Sequence, residues 1–301
     1  MRKLLTRAAA ALTAASVAFS PLVAQARATQ PPAAKPAMWK LSDKDTTIYL
    51  FGTIHLLPKG TVWRTAKFNQ ASASASDLVV ETMIDDANPA SAAAAMMKLA
   101  VSPNLPPLLD RVPADKRAAL TGVATKTGVP MAVFDKLETW AGAFIMLGVT
   151  MKELGLDPNS GVETSLKSEF TTARKPIGQL ETNAEQFGFF DTLPEAAQRK
   201  FLESVLDDPA KGRAQFAEML SVWTRGDVKA MGETFNRELA DSPDLRENLL
   251  RKRNANWNVW LQRRLAQPGT TMVAVGAGHL SGSDSVIAML EKSGYKVKRV
   301  Q

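Results

Sequence analysis

Cysteine is absent from the 301 residues of this sequence. Its absence excludes disulfide bonds, thiolate nucleophiles and zinc sites with cysteine ligands, and it suits an exported protein that avoids accidental oxidation. Four catalytic signatures are also missing: the His-Glu-x-x-His zinc motif, the phosphate-binding P-loop, the Rossmann Gly-x-Gly-x-x-Gly and the Gly-x-Ser-x-Gly elbow. The chemistry of the chain therefore depends on other residues.

Histidine is scarce, and its two copies share one local pattern. Each copy ends an apolar run that is typical of a β-strand, and each stands three residues after a glycine, in the runs Thr47-Ile-Tyr-Leu-Phe-Gly-Thr-Ile-His55 and Thr271-Met-Val-Ala-Val-Gly-Ala-Gly-His279. Glycine makes up about 7% of average sequences, so chance would place it before both histidines roughly 0.5% of the time. Histidines at strand ends beside glycines are positioned to contact a ligand or a metal.

Long apolar runs are also missing, except near the N-terminus. Residues 8–23 are apolar and alanine-rich, basic residues precede them, and small residues spaced for cleavage follow. This pattern predicts a signal peptide over residues 1–26, followed by a flexible leader over residues 27–37. We therefore expect a periplasmic or secreted protein with no stable membrane span after signal removal, and a single domain over residues 38–301.

Charge of one sign is not strongly in excess. The formal charge is +7, and it falls to +4 when the three basic residues of the signal are removed. The densest basic cluster, Arg251-Lys252-Arg253 with Arg263-Arg264, lies in a predicted helix and is explained mostly by a solvated helix face. Together with export, this balance argues against nucleic acid as a partner.

The order of predicted elements indicates an α/β fold. Strands over 39–41 and 46–52 form an opening hairpin, a helix over 65–75 follows His55, and a strand over 78–81 ends in Glu81. A strand over 175–181 ends in Glu181, and the chain closes with a strand, His279, a helix and a strand. This order predicts a mixed, largely parallel sheet. The sheet is expected to consist of two pseudo-repeated strand-GxxH-helix-strand units, one on each half.

Helical segments are predicted to be inserted between the strands. Residues 88–156 and 194–266 are expected to form the helical lobe, with the longest helix running from about residue 243 to 265. A single helix is expected to carry the apolar stripe Phe134, Leu137, Trp140-Ala141, Phe144, Gly148 and Met151.

Two imidazoles and a carboxylate at neighbouring strand ends could hold a divalent metal. His55, His279 and Glu81 are the candidate ligands, and Zn, Mn or Co would suit such a set. The ion would lower the pKa of bound water toward about 7. Glu181 could serve as general base, hold a histidine or cap the next helix, and Arg253 is either a surface residue or a group that binds carboxylates or oxyanions.

Five sequence blocks resemble the TraB/GumN family. They are Tyr49-Leu-Phe-Gly-Thr-Ile-His-Leu-Leu-Pro58, Val79-Val-Glu81, Gly178-Gln-Leu-Glu-Thr182 followed by Glu185-Gln186, Arg253-Asn254, and Val273-Ala-Val-Gly-Ala-Gly-His-Leu-Ser-Gly282. The family is similar to the Tiki metal-dependent proteases and, more distantly, to erythromycin esterase-like hydrolases and haem-binding ChaN lipoproteins. The resemblance implies an α/β fold with a helical insertion around the paired Gly-x-x-His loops.

The same resemblance implies a set of site residues. His55, Glu81 and His279 are the expected centre, Arg253 and Glu181 are second members, and Glu163 falls where the family often carries an acid.

We therefore expect an exported metal-dependent hydrolase, protease-like, that acts on a peptide or small-molecule substrate. Two alternatives are retained from the residues. One is a non-catalytic haem- or metal-binding protein of the periplasm, in which methionines of the helical lobe line an apolar pocket: Met96, Met97, Met131, Met146 and Met151. The other is a hydrolase without a metal, in which histidine and glutamate act directly as general base.

Overall fold

A mixed β-sheet forms the centre of the protein. The computed structural model describes residues 34–83, 89–102, 104–239 and 242–301, so the predicted signal peptide and most of the leader lie outside it. The strands within these ranges are β1 Met38–Ser42, β2 Thr46–Thr53, β3 Leu57–Pro58, β4 Asp77–Val80, β5 Leu156–Asp157, β6 Ile177–Gln179, β7 Gly269–Gly276 and β8 Val297–Arg299. In this part of the chain, six of them form a sheet in the order β6-β4-β7-β2-β1-β8, and β3 pairs with β5.

The sheet is parallel at its centre and antiparallel at one side. β6, β4, β7 and β2 are parallel neighbours, whereas β1 pairs antiparallel with both β2 and β8. The α/β class and the largely parallel sheet are confirmed. β7 of the second predicted unit lies between β2 and β4 of the first, and β8 lies at the far edge of the sheet, so the two units do not occupy separate halves.

The opening hairpin is held by its turn residue. The Asp43 carboxylate accepts hydrogen bonds from the backbone N–H of Asp45 at 3.1 Å and of Thr46 at 2.8 Å. An aspartate that bonds the backbone two or three residues ahead fixes a tight turn. The predicted strand pair and the turn between the strands are both confirmed.

Helices cover both faces of the sheet and form a lobe at its side. The α-helices of the described ranges are α1 Ala66–Ser74, α2 Pro89–Ala100, α3 Arg117–Thr127, α4 Met131–Phe134, α5 Thr139–Glu153, α6 Val162–Thr172, α7 Asn183–Asp191, α8 Glu195–Val205, α9 Pro209–Arg225, α10 Val228–Glu238, α11 Pro243–Arg246, α12 Lys252–Leu265 and α13 Val286–Lys292. Short 3-10 turns occupy Leu108–Arg111, Ala114–Lys116, Pro158–Ser160 and Ala277–Leu280. None of the helices in these ranges is both long and apolar enough to cross a bilayer.

Alternate residues of the central strands pack into separate cores. Val273 and Val275 face a core that includes α12 and α13, while Met272 and Ala274 face a core that includes α1 and α6. Both sides of β7 are therefore apolar, as expected for a parallel strand covered by helices on two faces.

The predicted single helix over the apolar stripe is wrong, because the chain breaks between α4 and α5. The buried Arg111 side chain donates hydrogen bonds to the carbonyls of Asp135 and Leu137, and Leu137 forms an isolated bridge with Val101. These two carbonyls accept hydrogen bonds from the guanidinium in place of the backbone N–H groups that would continue the helix. Most of the stripe still packs in or against the core of the lobe, but Gly148 is exposed.

The long predicted helix over 243–265 is present with one irregular turn. α11 and α12 are joined without interruption by a π-helical segment, Glu247–Arg251. A π-helical turn inserts an extra residue and changes the direction in which the following side chains point. Arg253 and Asn254 are the second and third residues after this turn.

Candidate functional site

Four of the five predicted site residues follow the ends of neighbouring parallel strands. His55 follows β2, His279 follows β7, Glu81 follows β4 and Glu181 follows β6. Strands β2 and β7 end level with each other, since Thr53 pairs with Gly276. The carboxyl ends of parallel strands meet at one edge of a sheet, which is where α/β proteins bind ligands.

Three of these side chains converge on Gly276. A β-carbon placed on Gly276 would lie 3.1 Å from Glu81 Oε1, 3.5 Å from His279 Cδ2 and 3.8 Å from His55 Nε2. Gly52, the glycine of the other frame, packs against Ala277, because its β-carbon would lie 3.1 Å from that residue's Cα. The glycines of the two frames therefore allow the strand ends and the three side chains to approach closely.

His55 is oriented by Glu163 at Nδ1, and Nε2 has no hydrogen-bond partner among the described residues. Its Nδ1 lies 2.8 Å from Glu163 Oε1, and 63% of its side-chain surface is exposed. Glu163 stands in the first turn of α6 and also accepts a hydrogen bond from Thr53. The negative charge of Glu163 raises the pKa of His55 to about 9. Because Nδ1 faces the carboxylate, Nε2 is the nitrogen directed toward Gly276.

His279 is buried and held at both nitrogens. Nδ1 lies 2.6 Å from Asn254 Oδ1, and Nε2 lies 3.1 Å from Arg253 Nη1. Since the Asn254 amide nitrogen donates to the Asp284 carbonyl, its oxygen faces the ring and Nδ1 carries the proton. Burial lowers the pKa of His279 to about 3, so the ring is neutral and Nε2 accepts from the guanidinium. The ring also packs on Trp257, with centroids 4.4 Å apart.

Arg253 links the other members of the cluster. Nη2 donates to Glu81 Oε2 at 2.6 Å and to Glu181 Oε1, Nε donates to Glu181 Oε2 at 3.1 Å, and Nη1 donates to His279 and, at 3.5 Å, to the Leu249 carbonyl. These contacts engage all five N–H donors of the guanidinium. The side chain is only 8% exposed. Arg253 is therefore a buried connector, and its donors are directed at protein groups.

The pKa values of Glu81 and Glu181 shift in opposite directions. Burial would raise the pKa of Glu81, but the charge of Arg253 and the Gly276 N–H at 2.6 Å outweigh it and hold that pKa well below the usual range. Burial raises the pKa of Glu181 despite Arg253 and a hydrogen bond from Trp257. Glu81 is thus firmly ionised, whereas the pKa of Glu181 stays raised even with Arg253 adjacent.

The cluster has some features of a metal site and lacks others. Both imidazoles are fixed at Nδ1 by a side-chain oxygen, which is how metal-binding histidines are oriented. However, the described residues contain no group of three His, Asp or Glu side chains arranged to hold an ion. The reason is visible in the contacts, because the Arg253 guanidinium bonds both Glu81 and His279. These residues fit a divalent ion only if the guanidinium moves away from them.

Two members of the site carry roles that the sequence did not indicate. Asn254 holds His279, and its only signal was its place beside Arg253 in one of the family blocks. Trp257 contacts both His279 and Glu181, one helical turn after Arg253. A tryptophan in an amphipathic helix is ordinarily a core residue, so its spacing alone gave no functional signal.

The protein is thus an α/β protein with a cluster of histidines and carboxylates at the carboxyl ends of its parallel strands. Comparison with known sequences identifies the family to which it belongs. The profile of the TraB/PrgY/gumN family matches residues 37–299, so the chain belongs to that family. Two curated relatives, both called uncharacterized protein YbaP, come from Escherichia coli K12 and Shigella flexneri. Each is 25% identical over 187 residues, which cover 61% of this chain and 67% of the relative. No solved structure matches the chain significantly.

Proposed function

We propose that the protein is an exported hydrolase and that the strand-end cluster is its catalytic centre. The observation that carries the proposal is the convergence of His55 Nε2, Glu81 Oε1 and the His279 ring on Gly276. One nitrogen of this set, His55 Nε2, belongs to a largely exposed ring that the Glu163 carboxylate holds at Nδ1. An imidazole fixed in this way is the usual proton acceptor in hydrolysis.

In the proposed reaction, His55 moves the proton. In the neutral form of the ring, its Nε2 takes a proton from water as the water oxygen attacks the substrate carbonyl, and Glu163 stabilises the imidazolium that forms. Because the pKa of His55 is raised to about 9, this neutral form is the minor one at neutral pH. The imidazolium then returns the proton to the leaving group as the acyl bond breaks. Glu81 stays ionised and faces the same space, so it also favours the protonated ring. Arg253 contributes by holding Glu81, Glu181 and His279, because its donors are already engaged.

A divalent cation gives the second form of this proposal. His55, Glu81 and His279 would hold Zn, Mn or Co, and the bound ion would supply a Lewis acid that lowers the pKa of water. Arg253 competes with an ion for Glu81 and His279. The form without a metal needs no such rearrangement, and we therefore favour it.

The test is hydrolysis by the purified mature protein of a peptide library and of an ester panel. We expect turnover by the wild type, a loss of at least about 10²-fold in His55→Ala, and normal turnover in Lys59→Ala, an exposed residue in the turn that follows β3. Activity that survives a chelator supports the favoured form, whereas activity lost to a chelator and restored by Zn, Mn or Co supports the metal-dependent form. Absence of turnover, or equal turnover in His55→Ala, would contradict both.

The non-catalytic haem- or metal-binding alternative stays a prediction. It would require His279 to give up its contact with Arg253. The five methionines predicted to line a pocket do not share one environment, since Met146 is buried in the lobe core and Met97 is 47% exposed. Haem titration followed by absorbance, with His279→Ala beside the wild type, tests this alternative directly.

Export is proposed from the sequence alone, since the predicted signal peptide over residues 1–26 lies outside the described residues. Expression of the full chain beside a version that starts at residue 27 tests it. We expect only the full chain to reach the periplasm or medium and to be shortened there.

A further inference from the structure

A second concave region lies between helix α1 and the outer strands of the sheet. Its volume is about 370 Å³, and Met38, Lys40, Tyr49, Lys67 and Lys298 are among the residues that line it. A volume in this range accommodates a small ligand. No residue of the catalytic cluster lines the cleft, so its function is separate from the proposed hydrolysis.

The cleft is positively charged on two walls. Lys40 of β1 pairs directly with Lys298 of β8 on one side and with Tyr49 of β2 on the other. Side chains of directly opposite residues project from the same face of a sheet, so the Lys40 and Lys298 side chains leave the sheet side by side. Lys67, on α1, supplies a third positive charge from the opposite wall.

These three charges are not neutralised within the part of the chain that the structure describes. None of Lys40, Lys67 and Lys298 forms an ion pair there, although many exposed lysines and arginines elsewhere do. Arg299, a further lining residue, donates to the backbone carbonyl of Gly226 and to a main-chain oxygen of Gln301. The fold therefore gathers cationic side chains in a cleft, and none of the residues described as lining it is an aspartate or a glutamate.

Like charges directly opposite each other destabilise a sheet, so the arrangement needs an explanation. Lysine on an edge strand prevents pairing with other chains, and this accounts for Lys298. It does not account for Lys40, which lies on the next strand inward, or for Lys67 on a helix. A bound anion would remove the repulsion among all three.

We propose that this cleft binds a phosphate-bearing ligand. Lysine ammonium groups bind phosphate oxygens as point charges, and three lysines lining one cleft from β1, β8 and α1 favour a ligand with more than one negative charge. Tyr49 provides a ring and a hydroxyl beside Lys40. The phosphate belongs either to a soluble phosphate ester or to a lipid headgroup, and the experiment below separates these two sources.

The experiment measures binding of two probes to the mature protein. Pyrophosphate is titrated by calorimetry, and flotation compares vesicles of phosphatidylglycerol and phosphatidylcholine with vesicles of phosphatidylcholine alone. The cleft variant is Lys40→Gln/Lys298→Gln, with Lys67→Gln as a second variant on the other wall. The control is Lys152→Gln/Lys200→Gln, which removes the same charge from exposed positions on α5 and α8.

A soluble ligand is supported if pyrophosphate binds and its affinity falls about tenfold or more in the cleft variants but not in the control. A lipid headgroup is supported if the wild type floats only with the vesicles that contain phosphatidylglycerol, and if the cleft variants lose this binding while the control keeps it. Because the substitution removes a repulsion, we expect the cleft double variant to melt at the same temperature as wild type or higher. The proposal would be overturned if the wild type bound neither probe, or if the control variant bound as weakly as the cleft variants. A clearly lower melting temperature of the cleft double variant would also overturn it.

Discussion

At the scale of single residues, Gly276 controls how closely the cluster can assemble. Its backbone torsions, φ −50° and ψ 136°, suit any residue, so Gly276→Ala brings no backbone strain. The new β-carbon would lie 3.1 Å from Glu81 Oε1, and Glu81 would have to shift. We expect hydrolysis to fall by about 10²-fold, because small displacements of catalytic groups are costly, while the free energy of unfolding changes little.

Gly148→Ala is the matched control for that prediction. Gly148 lies in α5, and a β-carbon there meets nothing within 4 Å. The alanine should leave the activity unchanged and raise the free energy of unfolding by about 0.5–1 kcal/mol. If both alanine variants keep full activity, the close approach at Gly276 is not needed for catalysis.

Glu163 should set the pH dependence of the reaction. The Glu163 carboxylate raises the pKa of His55 to about 9, and His55 accepts a proton only when it is neutral, so kcat/KM should rise with pH up to that region. Glu163→Gln removes the charge and lowers the pKa of His55, so the rising acidic limb of the plot of kcat/KM against pH should move to lower pH. The maximal rate should also fall, since the imidazolium loses its partner.

The control for this profile is Glu169→Gln on the same helix. Glu169 contacts Ser72 and Arg64 instead of a histidine, and its substitution should leave the limb in place. A limb that stays fixed in Glu163→Gln would show that His55 does not titrate in the rate-limiting step.

At the scale of elements, Arg111 determines where the lobe helices end. The buried guanidinium donates to the carbonyls of Pro106 at 2.7 Å, Leu137 at 2.6 Å and Asp135 at 3.0 Å. A lysine cannot reach three carbonyls, and each unsatisfied buried group costs about 1–3 kcal/mol. We expect Arg111→Lys to lower the free energy of unfolding by about 3 kcal/mol in urea titrations.

Arg117→Lys serves as the comparison, because Arg117 forms an exposed pair with Asp110. Surface pairs of this kind contribute about 0–1 kcal/mol, so that change should be small. Equal effects of the two substitutions would show that the buried contacts of Arg111 do not hold the lobe.

At the scale of the whole molecule, local signals predicted the order of the elements and the identity of the strand-end residues. Turn residues, alternating apolar positions and strand ends are short-range properties, so the hairpin around Asp43 and the acids after β4 and β6 could be recognised. The pairing of β2 with β7 joins segments over 200 residues apart. Such pairing depends on tertiary packing that no local pattern encodes.

Long-range contacts also explain what the sequence could not indicate about Arg253 and Leu137. The basic neighbours of Arg253 are typical of a solvated helix face, yet it is buried because Glu81 and Glu181 arrive from two strands. The helix break near Leu137 depends on a guanidinium that is 26 residues away in sequence. In both cases a distant side chain overrides the local pattern.

Removing Arg253 should make the stability of the entire domain depend differently on pH. In Arg253→Met the carboxylates of Glu81 and Glu181 stay buried without their cation, and breaking a buried ion pair costs about 3–5 kcal/mol. The folded-state pKa of Glu81 is depressed in the wild type, so its contribution is present above the unfolded pKa and declines as pH falls below it. The deficit of the variant should therefore be largest at neutral pH and shrink toward pH about 4.

Urea denaturation at a series of pH values measures that deficit. Arg263→Met is the control, since Arg263 is exposed on the same helix, and its effect should be small at every pH. Protonation allows the two buried glutamates to become neutral without Arg253, and this is why acid should relieve the variant but not the control. A deficit that stays constant from neutral pH to about 4 would mean that Arg253 stabilises the fold by packing and not by its charge.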